Sequence, residues 1–340
     1  MWRKLSCNFM ELNLDITLGG GQSFRWTKLD IGHWIGVIEN SVFSLKQDEN
    51  GNLLYFVHRS LNKGSNIDCD SLPSKRRKKT KKEPVYNSSQ DSSYFESSLK
   101  DYFNLDIKLM DYYNVWSKAD ENFKKVSEGY NGIRILRQPP VENLFSFICS
   151  ANNNIPRITS MVEKLCSNYG EKIAECEGKL FYTFPAIRRL AQDDVEAKLR
   201  ELGFGYRAKY IAQTAKYLHE KKPDNWFTSL RNMPYEKAHE ELQALPGVGA
   251  KVADCVCLMS LDKYNAIPVD THIWQVTVKD YLPHLKNAKA LTNKIYQQIG
   301  DFYRERFGDY AGWANTVCML HYFYFRVQVV RSKSEYAYAI

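Results

Sequence analysis

The chain has 340 residues, about twice a typical domain, so two or three domains or one large decorated core are expected. Hydrophobic residues make up 44% and charged residues 25%, proportions that exclude a wholly disordered or collagen-like chain. The formal charge of +8 is concentrated: Lys75-Arg76-Arg77-Lys78-Lys79-Thr80-Lys81-Lys82 holds seven positive charges, and +8 less 7 leaves +1 for the rest. Nucleic-acid contact outside that run must therefore come from local arrangement rather than a global field. The run itself reads as a nuclear import signal or a loose nucleic-acid arm. No apolar stretch approaches the roughly 20 residues of a membrane helix. The start, Met1-Trp2-Arg3-Lys4, lacks an apolar signal core, which points away from secretion. Eight cysteines form no pair of C-x-x-C knuckles, so neither a zinc site nor an iron–sulfur cluster is expected, and the thiols read as free.

Taken in order, Ser23–Trp26, Trp34–Ile38 and Leu53–Val57 are β-branched or aromatic runs separated by turn residues, and they predict strands. Between about residues 60 and 98 the chain turns to Ser, Asn, Asp, Lys and Pro, which predicts a disordered insertion. Beyond it the pattern is helical. Val141–Ser150 is apolar on most faces and predicts a buried helix. Ile158, Met161, Val162 and Leu165 form one stripe after Pro156. Segments at 195–202, 210–219, 235–245 and 251–261 continue the series. The expectation is α+β: an N-terminal antiparallel β-sheet domain over 1–131, a larger helical domain over 132–326, and a tail at 327–340.

The segment Leu245-Pro246-Gly247-Val248-Gly249-Ala250-Lys251 carries the most chemistry. One helix ends near Leu245, two glycines turn the chain, and a second helix begins at about Ala250. The free N–H groups and positive dipole end of that second helix suit a phosphate oxygen. Such a hairpin grips a nucleic-acid backbone without reading sequence, although an ordinary helix–turn–helix corner would also fit L-P-G-x-G. Lys251 lies in the first turn, where the dipole disfavours a charged amine, and a neutral amine is what a nucleophile requires. Nineteen residues on, Asp270 ends the extended segment Ile267-Pro268-Val269.

L-P-G-V-G-x-K followed by V-D resembles the helix-hairpin-helix superfamily of DNA glycosylases. Gly21-Gln22-Ser23-Phe24-Arg25-Trp26, Phe145–Asn154 and Tyr310-Ala311-Gly312-Trp313-Ala314 narrow this to the eukaryotic 8-oxoguanine DNA glycosylase family. The likeness runs from about residue 13 to residue 317, interrupted by the insertion. It implies a bifunctional DNA glycosylase/AP lyase of base excision repair, which flips oxidised guanine from double-stranded DNA and excises it opposite cytosine. Lys251 would form a Schiff base at the sugar, and Asp270 would stabilise the developing charge and assist proton transfer. Gly21, Cys255, Pro268, Asn315 and Met319 would line the lesion pocket. Asn152, Arg157, Tyr206, Arg207, Gly247, Gly249 and His272 would contact DNA. The resemblance calls for no cofactor and no metal, a monomer, no membrane, and a nuclear location to which a mitochondrial form could be added.

The end departs from the family. Asn315 stands where a glutamine reads the lesion's pairing edge, Met319 where a phenylalanine stacks on it, and the sequence diverges beyond Val317. An alternative reading is therefore a non-catalytic or altered-specificity binder of DNA lesions.

Overall fold

The structure, a computed structural model, describes residues 1–29, 32–61 and 89–320, with side-chain environments from residue 93 in the helix that starts at 89. The basic run Lys75–Lys82, most of the expected insertion and the tail at 327–340 lie outside the described residues.

Five antiparallel strands form the N-terminal sheet: β1 (Arg3–Leu5), β2 (Trp26–Lys28), β3 (Trp34–Ile38), β4 (Ser41–Gln47) and β5 (Leu53–Ser60), in the spatial order β1-β5-β4-β3-β2. Alternation along a strand sends neighbouring side chains to opposite faces. On one face, Phe43, Leu45, Leu53 and Tyr55 pack against Phe95, Leu99 and Tyr102 of the helix Ser89–Tyr102. On the other, Ile35, Val37 and Val42 meet Ile173 and Phe181. With both faces covered, all five residues of β3 are buried, which is why Trp34–Ile38 reads as a continuous apolar run.

Three features differ from expectation. Residues 89–98 are helical: Phe95, Leu99 and Tyr102 recur at helical spacing, a period hidden by the serines between them. Ser23–Arg25 stays out of the ladder, and the strand begins only at Trp26. Gln22 is the cause. Its side chain donates to the Arg134 carbonyl at 2.8 Å and accepts from the Leu136 amide at 3.1 Å, so this stretch is held by tertiary bonds rather than strand pairing. Packing also ignores the expected boundary at 131, because Leu109, Tyr113, Trp116 and Phe123 already belong to the larger helical core.

That core contains the expected helices as Pro140–Ser150, Ile155–Tyr169, Val195–Glu201, Arg207–Lys221, Tyr235–Gln243 and Ala250–Ser260. It also carries a hairpin that periodicity did not reveal, β6 (Lys172–Cys176) with β7 (Lys179–Tyr182), which supplies Ile173 and Phe181 to the sheet. Arg25 and Glu142, both about nine-tenths or more buried, pair across the two cores at 3.1 Å, and Arg25 also donates to the Tyr182 carbonyl. Pro140–Ser150 buries eight of its eleven residues, with Asn143 donating to Ser260 at 2.7 Å.

A final helix spans 311–320. Gly312 lets it approach the loop before Pro268, since a Cβ there would fall 2.4 Å from the Ala266 carbonyl oxygen and 2.6 Å from Leu258. The helix continues past Val317, with Cys318, Met319 and Leu320 all buried.

Candidate active site

The hairpin sits on the helix Arg207–Lys221. Gly247 has φ +75, a conformation other residues adopt at a cost, and a Cβ there would strike the Tyr210 ring at 2.4 Å. Thr214 donates to the Pro246 carbonyl at 2.6 Å, fixing the turn from below. Gly249 then occupies the N-cap of the helix Ala250–Ser260 without a side-chain cap, so the first-turn N–H groups are open to an anion.

Lys251 projects from that first turn and is half-buried. Its Nζ lies 4.8 Å from the centre of the Phe147 ring and 3.5 Å from Ser150 Oγ. Ser150 donates its own proton to the Phe147 carbonyl at 2.7 Å, which leaves the oxygen to accept from the lysine. Phe147 is in edge contact with Phe24 at 5.7 Å, so two of the motif segments and the lysine converge. Neither Phe147 nor Ser150 stood out as functional in the sequence, although both lie inside the Phe145–Asn154 motif.

Cys255, one turn on from Lys251, is buried. Burial pushes its thiol up to about 11, the Lys251 charge draws it down, and the carboxylates of Asp254 and Asp270 raise it. One thiol thus feels both the lysine and the aspartate that the sequence paired. Asp270 is the N-cap of the helix Thr271–Asp280: its Oδ1 accepts from the amides of His272 and Ile273, each at 2.9 Å. That locks the carboxyl plane and leaves Oδ2 outside the cap. His272 is half-buried beside it and Pro268 is buried in the preceding segment.

Gly21 precedes the pinned Gln22, whose own carbonyl accepts from Gln138 at 2.8 Å, and it lies against Ile155, 3.2 Å from an added Cβ. Asn315 is 1% exposed, and its Nδ2 has no hydrogen-bond partner among the described residues. A buried amide left that way costs about 1–3 kcal/mol. Met319 is buried on the same helix, one turn further along.

Three of the expected DNA-contact residues, Asn152, Tyr206 and Arg207, meet just beyond the end of Pro140–Ser150. The three asparagines divide the work. Asn152 takes φ +47, a region asparagine tolerates, and is exposed; Asn153 donates back to the Cys149 carbonyl at 2.9 Å; Asn154 caps the next helix by accepting from the Arg157 amide at 3.1 Å. Arg157 and Tyr206 are exposed. Arg207 is not: it is 3% exposed and donates to the carbonyls of Ala151 and Asn152, the latter at 2.8 Å, so here it braces the Asn152 turn. Tyr206 lies against the Arg207 guanidinium at 4.6 Å and donates to the Ala151 carbonyl at 3.0 Å.

Among the described residues, no cluster of three or more His, Cys, Asp or Glu could hold a metal, and no helix is long and apolar enough to cross a membrane.

Residues 4–144 match the family model "8-oxoguanine DNA glycosylase, N-terminal domain", and residues 145–300 match "HhH-GPD superfamily base excision DNA repair protein". The chain is 36% identical over 322 residues to the N-glycosylase/DNA lyase OGG1 of Arabidopsis thaliana, covering 94% of this chain and 80% of that protein. It is 38% identical over 348 residues to the N-glycosylase/DNA lyase of Saccharomyces cerevisiae, with coverage of 92% and 84%. The fold matches Clostridium acetobutylicum 8-oxoguanine glycosylase/lyase, solved with double-stranded DNA containing cytosine opposite 8-oxoguanine, at 28% identity and a TM-score of 0.74 over 94% of this chain and 97% of that one. The chain therefore belongs to the 8-oxoguanine DNA glycosylase family of N-glycosylase/DNA lyases.

Proposed function

We propose that this N-glycosylase/DNA lyase excises 8-oxoguanine opposite cytosine with Lys251 as nucleophile and Asp270 as the carboxylate that balances charge on the sugar. The observation that carries the reading is the placement of the Lys251 amine in the first turn of the uncapped hairpin helix, 4.8 Å from the centre of the Phe147 ring and 3.5 Å from Ser150 Oγ. The amine nitrogen bonds C1′ as the bond from C1′ to the base breaks, and Asp270 offsets positive charge on the sugar. The base leaves with the electron pair of its bond to C1′ and takes up the proton that the nitrogen gives off. The nitrogen lone pair then breaks the C1′–O4′ bond, O4′ is protonated to a hydroxyl, and a protonated imine remains. Loss of a C2′ proton then expels the 3′ phosphate, which nicks the strand.

By the same reading, the Gly21 carbonyl accepts the N7–H that oxidised guanine has and guanine lacks. Guanine would place an acceptor against that carbonyl, a mismatch of about 1–3 kcal/mol. The double anchoring of Gln22 supports this, because a carbonyl must be held still to discriminate. Asn315 offers its unpartnered amide to the base edge, and Cys255, Pro268 and Met319 form the apolar walls. Asn152 enters the gap left by the flipped base, Arg157 and Tyr206 face the opposite strand, and Arg207 holds the Asn152 turn in place. The uncapped first-turn amides that follow Gly249 and the His272 side chain receive phosphates.

A duplex panel with 8-oxoguanine opposite each of the four bases tests this directly. Cytosine should give the fastest single-turnover excision, and guanine opposite cytosine none. Equal rates for all four partners would overturn the opposite-base reading.

The enzyme acts as a monomer in the nucleus on this proposal, with Lys75–Lys82 as the import signal. Deleting those residues should shift a fluorescent fusion out of the nucleus and leave excision at moderate salt unchanged. Persistent nuclear accumulation would reject the targeting role.

A further inference from the structure

Asp254 is the most deeply buried charge near the site, with no exposed surface, on the helix that carries Lys251. A carboxylate in such a place requires partners, and a well-packed apolar residue would stabilise the fold as well or better. Its partners are specific. Tyr235 donates to Oδ1 at 2.7 Å, Tyr296 donates to Oδ2, and His239 Nε2 lies 3.5 Å from Oδ2 and 3.2 Å from the Ala250 carbonyl. Burial and the adjacent carboxylate raise both phenols well above their ordinary value, so both keep their protons and donate.

Tyr296 comes from a different helix, Asn293–Phe307, and reaches further. Its hydroxyl accepts from the Val269 amide at 3.3 Å and lies 3.3 Å from the Ile267 carbonyl. Those groups flank Pro268, and Val269 immediately precedes Asp270. A directed chain of hydrogen bonds thus runs from the Val269 N–H through the Tyr296 hydroxyl to Asp254, three residues beyond Lys251. Ile267 and Val269 are buried and belong to no strand or helix, so the Val269 amide finds its partner in this phenol. His239 ties the same carboxylate to Ala250, the first residue of the Lys251 helix.

We propose that Asp254 and Tyr296 are positioning residues that hold the Lys251 helix and the Asp270 segment in register across the flipped nucleotide. The inference rests on the roles given above to Lys251 and Asp270. Catalysis depends on their separation, because a misplacement of about 1 Å can slow a reaction about 100-fold.

A double-mutant cycle tests it, with single-turnover excision and duplex affinity measured for the wild type, Tyr296→Phe, Asp270→Asn and the double variant. Tyr296→Phe removes one oxygen and should slow excision by between about 10- and 100-fold, while duplex affinity stays within about twofold. In the Asp270→Asn background the same change should slow excision by no more than about twofold, because its effect passes through Asp270. Tyr303→Phe, a buried phenol on the same helix that reaches Thr277 at 3.0 Å instead of the site, should stay within about twofold of wild type. A full multiplicative effect in the Asp270→Asn background, or equal slowing by Tyr303→Phe, would overturn the positioning role while leaving Lys251 and Asp270 in place. Wild-type excision by Asp270→Asn would instead remove the assignment of Asp270, and this inference with it.

Discussion

Lys251→Gln should bind a duplex containing 8-oxoguanine but form no borohydride-trapped complex and no nicked product. Glutamine keeps a flexible stem and a helix-compatible backbone, so the first turn of Ala250–Ser260 and its contact with Phe147 should survive. What goes is the amine, the one group at this position that can form an imine with a sugar carbon. The hairpin proposed to grip the backbone is built from Gly247, Gly249 and the seat provided by Tyr210 and Thr214, none of which the substitution touches. Binding and chemistry should therefore separate. A trapped complex from this variant would mean that another amine attacks the sugar.

Asp270→Asn should slow excision by about 10²–10³-fold, the scale of removing one charge-stabilising group from an active site. The structure makes this a clean substitution. Asparagine is as good an N-cap as aspartate, and its Oδ1 can keep both bonds to the His272 and Ile273 amides. The melting temperature should then stay close to that of the wild type. Excision and stability falling together would assign Asp270 a structural role alone.

How far the sequence reached depended on the distance over which each feature is determined. The hairpin was legible because its two glycines and its lysine lie within five residues of one another. The strands β3 and β5 were legible as β-branched and aromatic runs between turn residues, and the helices of the large core from their apolar period. The β6–β7 hairpin was not, because Ile173 and Phe181 acquire their meaning only against Ile35, Val37 and Val42 on a distant sheet. The helix at 89–98 was obscured by its serines, and only the sheet it covers makes Phe95 and Leu99 core residues. Arg207 read as a surface residue facing DNA, yet its guanidinium turns inward to two carbonyls that no local pattern announces. The network around Asp254 was invisible for the same reason: Tyr235, His239, Asp254, Val269 and Tyr296 are polar or apolar by type and become a unit only in three dimensions. Cys318, Met319 and Leu320 are buried, a packed setting that no local pattern announced.

The central claim is that one lysine at the head of the hairpin helix forms the covalent bond to DNA. The most direct measurement is peptide mapping of the wild-type protein after borohydride trapping on an 8-oxoguanine:cytosine duplex. Mass spectrometry of the digested complex should place the deoxyribose adduct on Lys251. An adduct on any other lysine or on the N-terminal amine, with Lys251 unmodified, would contradict the account.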